Sequence, residues 1–199
     1  ALPIIALGMG YALIFDLDGV IADTASYHYE SWRQLAVEEG LAFDWQLNER
    51  LRSLSRRASL EIILAENGRT IDEAQMADLL ARKNHAYLRL IGQMDARALL
   101  PGVAALITEA KAAGMKLAVA SASRNAVAVL QRTGVHDAFD AVVDSTSGLP
   151  SKPAPDLLLR AAQELGVAPG RCAVLEDAAV GIDAALAAGM WTVGLGPPG

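Results

Sequence analysis

Two acidic pairs, Asp16-Leu17-Asp18 and Glu176-Asp177, each follow a short apolar run, Tyr11–Phe15 and Cys172–Leu175. Residues two apart on an extended segment project to the same side, so Asp16 and Asp18 point together from the end of the first run. The carboxyl ends of buried strands face the crevice where open α/β sheets bind ligands. Carboxylates left there are costly unless a cation or a proton compensates. Three or four of them converging from two strands make a hard-oxygen site suited to magnesium with retained waters. His and Cys are absent from these positions, which argues against zinc. Taken singly, either pair could be a helix-start acid favoured by the helix dipole.

Two further run ends carry groups suited to a phosphate. Leu117–Ala120 leads into Ser121-Ala122-Ser123-Arg124-Asn125, where a hydroxyl and backbone N–H groups precede a helical pattern and would cradle an oxyanion. Ordinary capping by Ser or Asn explains that stretch equally well in isolation. Lys152 lies in Ser-Lys-Pro-Ala-Pro, a stiff loop whose prolines would hold the ammonium in place, with Pro155 suited to a first helical turn. Alone, a loop lysine reads as solvated surface.

The elements that must position these residues alternate. Strands are expected at Tyr11–Phe15, Leu117–Ala120, Ala141–Val143, Cys172–Leu175 and Trp191–Leu195, mostly apolar at consecutive positions as in parallel strands buried on both faces. Helices are expected at Val103–Ala113, Asn125–Thr133, Asp156–Leu165 and Ala178–Ala188, each followed by a glycine stop. Alternation predicts an α/β fold with a doubly wound, Rossmann-like parallel sheet. From Ser26 to Arg97 the pattern is helical throughout: Ser26–Glu39, Leu47–Glu66 with a break near Ser53–Ser55, and Asp72–Gln93. That block exceeds a single crossover and reads as an inserted all-helical cap over 25–96, with 1–24 and 97–199 as the catalytic core.

Within the block, His28, Trp32 and Leu35 share one helix face. A core-facing stripe explains Leu35 and Trp32, but a histidine beside them needs a polar partner. Arg52, Arg56 and Arg57 form a cationic cluster in an otherwise acidic chain. Paired guanidinium donors suit phosphate, so Arg56 is the expected distal-phosphate ligand, with Ser55 and Ser59 as weaker candidates nearby; solvated surface is the alternative.

Composition sets the limits. The 199 residues are 53% hydrophobic and 20% charged, which suits a globular protein with a sizeable core. A formal charge of −6 argues against broad nucleic-acid binding, and no apolar run is long enough to span a bilayer. Ala1–Gly10 lacks a basic n-region and a small-residue cleavage site, and reads as a lead-in rather than a signal peptide. The single cysteine, Cys172, allows no intrachain disulfide, so the cytoplasm is the expected location and a monomer the expected state.

Together, Asp16-x-Asp18-Gly19, Ser121, Lys152 and Glu176-Asp177, each at a strand end, resemble the four motifs of the haloacid dehalogenase superfamily. The stretches FDLDGVIADTASYH, SASRNA, SKPAPD and LEDAAVGIDAA are similar, more narrowly, to its β-phosphoglucomutase family. The resemblance implies that Asp16 becomes an aspartyl phosphate and that Asp18 is general acid and base. It implies magnesium held by Asp16, the Asp18 backbone carbonyl, Glu176 and Asp177, with Ser121 and Lys152 on the phosphoryl oxygens. It also brings in Lys83, with Asn84 beside it, as a cap lysine near His28. The implied reaction interconverts β-glucose 1-phosphate and glucose 6-phosphate through the 1,6-bisphosphate. Its rivals are a phosphatase of the same superfamily and a catalytically silent sugar-phosphate-binding protein. The chain departs from the family pattern at Ser53, where glycine is common, and at Arg57-Ala58, where acids are frequent. It also ends at Gly199, before a further terminal segment usual there, which bears on stability more than on chemistry.

Overall fold

The first apolar run forms β1 (Ala12–Phe15), buried at every position. The structure is a computed structural model and describes residues 8–52 and 54–196. Most of the Ala1–Gly10 lead-in, and all of Ser53, therefore lie outside the described residues. With β2 (Lys116–Ala120), β3 (Ala141–Val143), β4 (Cys172–Glu176) and β5 (Trp191–Gly194), β1 builds a parallel sheet in the order β3-β2-β1-β4-β5. The chain runs from β1 to β2 and β3 on one side, then returns to β4 and β5 on the other. The direction of winding therefore reverses between β1 and β4, which is where such sheets open a ligand crevice.

Consecutive apolar residues follow from two covered faces. Leu13 and Phe15 enter one cluster with α5 (Val103–Ala112) and α6 (Ala126–Thr133). Ala12 and Ile14 enter the other with α7 (Asp156–Leu165) and α8 (Ala179–Ala187). The second face is rich in alanine, including Ala118, Ala120, Ala161, Ala162, Ala184 and Ala185, which lets those helices approach closely. Truncating a buried anchor such as Phe15 to alanine would cost about 3–5 kcal/mol. Asn125 and Ala178, expected as the first helical residues, are N-caps of α6 and α8, whereas α7 has the expected bounds, with Pro155 as its N-cap.

Between β1 and α5 lie α1 (Ala25–Glu39), α2 (Trp45–Glu49), α3 (Arg56–Glu66) and α4 (Glu73–Ile91). They share an apolar cluster of their own around Trp32, Leu35, Leu60, Ile63 and Leu79. The expected break between α2 and α3 is wider than predicted and α2 begins earlier. Asp44 caps α2 by accepting from Leu47 N at 2.8 Å, and Ser55 caps α3 by accepting from Ala58 N at 3.2 Å. A capping box between Asp72 and Gln75 starts α4. That helix belongs to both units: Met76 and Leu79 join the helical cluster, while Tyr87 and Ile91 join the sheet cluster. Among the described residues no helix is long and apolar enough to cross a membrane.

Candidate active site

Parallel pairing of β1 with β4 aligns Phe15 with Leu175 and brings the residues that follow, Asp16 and Glu176, side by side. Lys152 arrives from the loop before α7 and bridges them, its Nζ 2.7 Å from Asp16 Oδ1 and 2.6 Å from Glu176 Oε2. All three are buried, so the surface-loop reading of Lys152 does not hold. Burial, joined by the Glu176 and Asp18 charges, pushes the Asp16 carboxyl up to about 8 although Lys152 pulls it down. Lys152 is itself raised: burial disfavours its charge, but the Asp16 and Glu176 carboxylates outweigh that. Ser121, also buried, follows β2, and its Oγ accepts from Ser123 N at 3.1 Å.

Asp18 faces the helical unit. Thr24 Oγ1 donates to Asp18 Oδ1 at 2.5 Å, and His28 Nε2 lies 3.6 Å from the same oxygen. Burial raises the Asp18 carboxyl, but His28, Thr24 and Lys83 together leave it below the ordinary carboxylate range. His28 finds its polar partner in Lys83, whose Nζ is 3.1 Å from Nδ1. Lys83 is buried on α4 and pushed down to about 7, first by burial and then by the Arg56 charge. Thr24 was not evident in the sequence as a functional residue, because a threonine before a helix reads as an N-cap. Here it makes no side-chain cap.

These groups border a cleft lined from both units: by Asp16, Asp18 and Asp177 on one side, and by His28, Trp32, Arg52, Arg56, Ser59 and Lys83 on the other. Ala122, Ser123 and Arg124 line it as well. Arg56 is lowered to about 10, by burial first and then by the neighbouring Arg124 charge. Among the described residues no carboxylate pairs with either guanidinium. Asn125 Nδ2 donates to Asn84 Oδ1 at 2.9 Å, tying the loop after β2 to α4, although neither residue lines the cleft.

Two expectations are corrected. The three arginines are not a cluster. Arg57 faces outward to Glu61 and Glu73, and Arg52 pairs with Glu49 and Asp177, leaving Arg56 as the one that enters the cleft without a counterion. Ser55 does not line the cleft, because its hydroxyl caps α3. Asn48, Glu49, Leu51 and Leu54, none singled out in the sequence, do line it.

The donors fit a hard divalent cation. Asp16, Glu176 and Asp177 each offer a carboxylate oxygen, and the three oxygens lie within 4.8 Å of one another. Asp177 Oδ1 is buried without a hydrogen-bond partner among the described residues, and burial together with the Glu176 and Asp18 charges raises the Asp177 carboxyl despite Arg52. An orphaned carboxylate oxygen beside two other acids is stabilised by a metal with oxygen preference. The Asp18 carboxylate is not in this group, since it turns to Thr24 and His28. Glycines permit the crowding. Gly19 has φ 81°, and a Cβ there would overlap the Asp177 carboxylate. At Gly181 a Cβ would overlap the carboxylate of Glu176.

The family model of haloacid dehalogenase-like hydrolases matches residues 12–189. The chain belongs to this family. As a haloacid dehalogenase-like protein it is 44% identical over 187 residues to a β-phosphoglucomutase of Bacillus subtilis, covering 93% of this chain and 83% of that one. It is 35% identical over 178 residues to the fructose-1-phosphate phosphatase YqaB of Escherichia coli, covering 89% and 92%. Its structure superposes on the crystal structure of a β-phosphoglucomutase from Clostridium difficile with a TM-score of 0.90 and 40% identity, covering 95% of this chain and 86% of that one. The chain is thus an enzyme of the haloacid dehalogenase superfamily, with the α/β core and helical cap of that fold.

Proposed function

We propose that the enzyme is a β-phosphoglucomutase, interconverting β-glucose 1-phosphate and glucose 6-phosphate through β-glucose 1,6-bisphosphate. The observation that carries this reading is one cleft lined both by the Asp16–Asp18 pair and by Arg56 and Arg124, neither of which has a carboxylate partner among the described residues. A bisphosphate needs two such regions: while one phosphoryl group reacts, the other must be anchored. The identity to the Bacillus subtilis mutase supports the same substrate.

In the forward direction Asp16, phosphorylated on a carboxylate oxygen, gives its phosphoryl group to the 6-hydroxyl of β-glucose 1-phosphate. Asp18 takes the proton from that hydroxyl as the new O–P bond forms and the acyl–phosphate bond breaks. After the bisphosphate reorients, Asp16 takes the phosphoryl group from O1 and Asp18 returns the proton to the O1 that leaves, giving glucose 6-phosphate. Lys152 and Ser121 stabilise the equatorial oxygens of the transferring group, the charge and positioning work that dominates phosphoryl transfer. His28 and Thr24 hold the Asp18 carboxylate. Magnesium is the ion we assign to Asp16, Glu176, Asp177 and the Asp18 backbone carbonyl; when bound it neutralises charge on the phosphoryl oxygens and on the nucleophile. We take residues 25–96 as the cap and the remainder as the core, and read the enzyme as a cytoplasmic monomer. The single cysteine, Cys172, which allows no intrachain disulfide, supports the cytoplasmic reading.

The test supplies β-glucose 1-phosphate, magnesium and a trace of the 1,6-bisphosphate, and follows glucose 6-phosphate against inorganic phosphate. Glucose 6-phosphate as the main product is expected. Inorganic phosphate alone would replace this reading with a sugar-phosphate phosphatase.

A further inference from the structure

Lys83 is a buried cation with no carboxylate partner among the described residues. Such a charge is costly unless something compensates. The groups that face it are His28 from α1, Arg56 from α3, which repels it, and Asp18 from the loop after β1, which attracts it. Two rings complete the enclosure. Nζ lies 4.8 Å from the centre of the Trp32 ring and 4.7 Å from that of Tyr87. At these distances the face of an aromatic ring attracts a cation.

Tyr87 touches both members of the Lys83–His28 pair. It lies one turn after Lys83 on α4, and its ring centre is 4.4 Å from that of His28, tilted by 34°. It is fully buried and does not line the cleft, so it cannot act by touching substrate. Its hydroxyl has no hydrogen-bond partner among the described residues, so the contacts it makes to the pair are those of its ring.

We propose that Tyr87 and Trp32 form an aromatic cradle that holds the Lys83 ammonium against His28 Nδ1, and so fixes the imidazole with its proton on Nε2, facing Asp18. An ammonium has N–H donors and no lone pair, so Nδ1 can only accept from it. The proton of the neutral ring then resides on Nε2, which has no hydrogen-bond partner among the described residues and lies 3.6 Å from Asp18 Oδ1. With the opposite tautomer, a lone pair would meet a carboxylate. Tyr87 is thus a positioning residue, two contacts removed from the proton that Asp18 moves. The catalytic consequence rests on the acid–base role proposed for Asp18; the tautomer does not.

The experiment uses magnesium-loaded enzyme without substrate, labelled with ¹⁵N histidine and with ¹³C and ¹⁵N lysine, in the wild type, Tyr87→Phe and Tyr87→Leu. Tyr87→Phe should keep the wild-type Lys83 titration and the Nε2–H tautomer of His28. Tyr87→Leu should lower the midpoint of the Lys83 titration by about one pH unit and mix the tautomers near neutral pH. In turnover, the alkaline limb of kcat/KM should move down with it. Should Tyr87→Leu fail to fold by circular dichroism, Trp32→Leu makes the same comparison. Coincident titrations for the leucine variant and the wild type, or equal shifts for the phenylalanine and leucine variants, would overturn the cradle. Because the spectra need no substrate, this result stands apart from whether the enzyme proves to be a mutase.

Discussion

Thr24 Oγ1 donates to Asp18 Oδ1 across 2.5 Å, and α1, which begins just after Thr24, goes without a side-chain cap. A hydroxyl that would ordinarily satisfy a helix end instead holds the proposed acid–base carboxylate where the cap joins the core. Thr24→Val keeps the shape and removes the bond. A hydrogen bond to a charged group is worth about 1.5–3 kcal/mol, which corresponds to a loss in kcat/KM of about 10- to 150-fold. Against burial, His28, Thr24 and Lys83 hold the Asp18 carboxyl low, so losing one donor raises it. The base form then appears only at higher pH, and the acid limb of the kcat/KM profile should move upward. An unmoved acid limb would remove Thr24 from this role.

Asp16→Asn should abolish turnover in a folded protein, since an amide cannot form the acyl phosphate. Incubation with phosphate-labelled substrate should label the wild type and leave the variant unlabelled. Labelling of the variant at wild-type level would place the nucleophile elsewhere.

Gly181→Ala tests the metal site from behind. Alanine is the better helix former by about 1 kcal/mol, so propensity alone predicts a gain in stability. The added Cβ would, however, overlap the Glu176 carboxylate and push it from its place beside Asp16. The expected outcome is a several-fold higher magnesium concentration for half-maximal activity, read from a metal titration. A more stable protein with unchanged metal dependence would show that Glu176 relaxes freely.

Arg52 pairs with Asp177, one of the three carboxylates suited to the metal. A guanidinium there competes with a divalent cation for the same charge. Arg52→Gln should therefore tighten magnesium binding several-fold in calorimetric titration of the enzyme alone. Weaker binding would mean that Arg52 helps to shape the site rather than to oppose the ion.

Arg56→Ala should reduce mutase turnover far more than hydrolysis of a small phosphate ester. The bisphosphate loses charge-assisted bonds worth about 1.5–3 kcal/mol each, and remote binding also supports the chemical step. A small monoester has no second phosphate to anchor. Equal losses on both substrates would point to impaired folding or closure, and no loss on either to a solvated side chain.

The sheet and its acidic ends were legible because parallel strands covered on both faces leave consecutive apolar residues, and a carboxylate ending such a run is costly unless a cation or a proton meets it. Asp16, Glu176 and Asp177 meet for that reason. The cap was harder to read. Arg57 stands four residues before Glu61, a spacing that marks an exposed ion pair, yet its neighbours Arg52 and Arg56 suggested a cluster. Ser55 precedes a helix and is its cap, the plain reading of a serine there. Thr24 has the same sequence context and does the opposite, since the partner that draws its hydroxyl away approaches only in three dimensions. Tyr87 was missed because a buried aromatic at helical spacing reads as core, and its neighbours Lys83 and His28 come from different helices.

α4 is anchored among the sheet residues at Ile91 and among the cap residues at Met76, which makes it a lever with unequal arms. At 1.5 Å per residue, Met76 stands ~22 Å from Ile91 and Lys83 ~12 Å. A tilt of about 10° about Ile91 would sweep the far end through ~4 Å and Lys83 through only ~2 Å. Any tilt about that end would therefore displace the lysine beside His28 half as far as the outer cap, and Tyr87, nearer still to the pivot, less again.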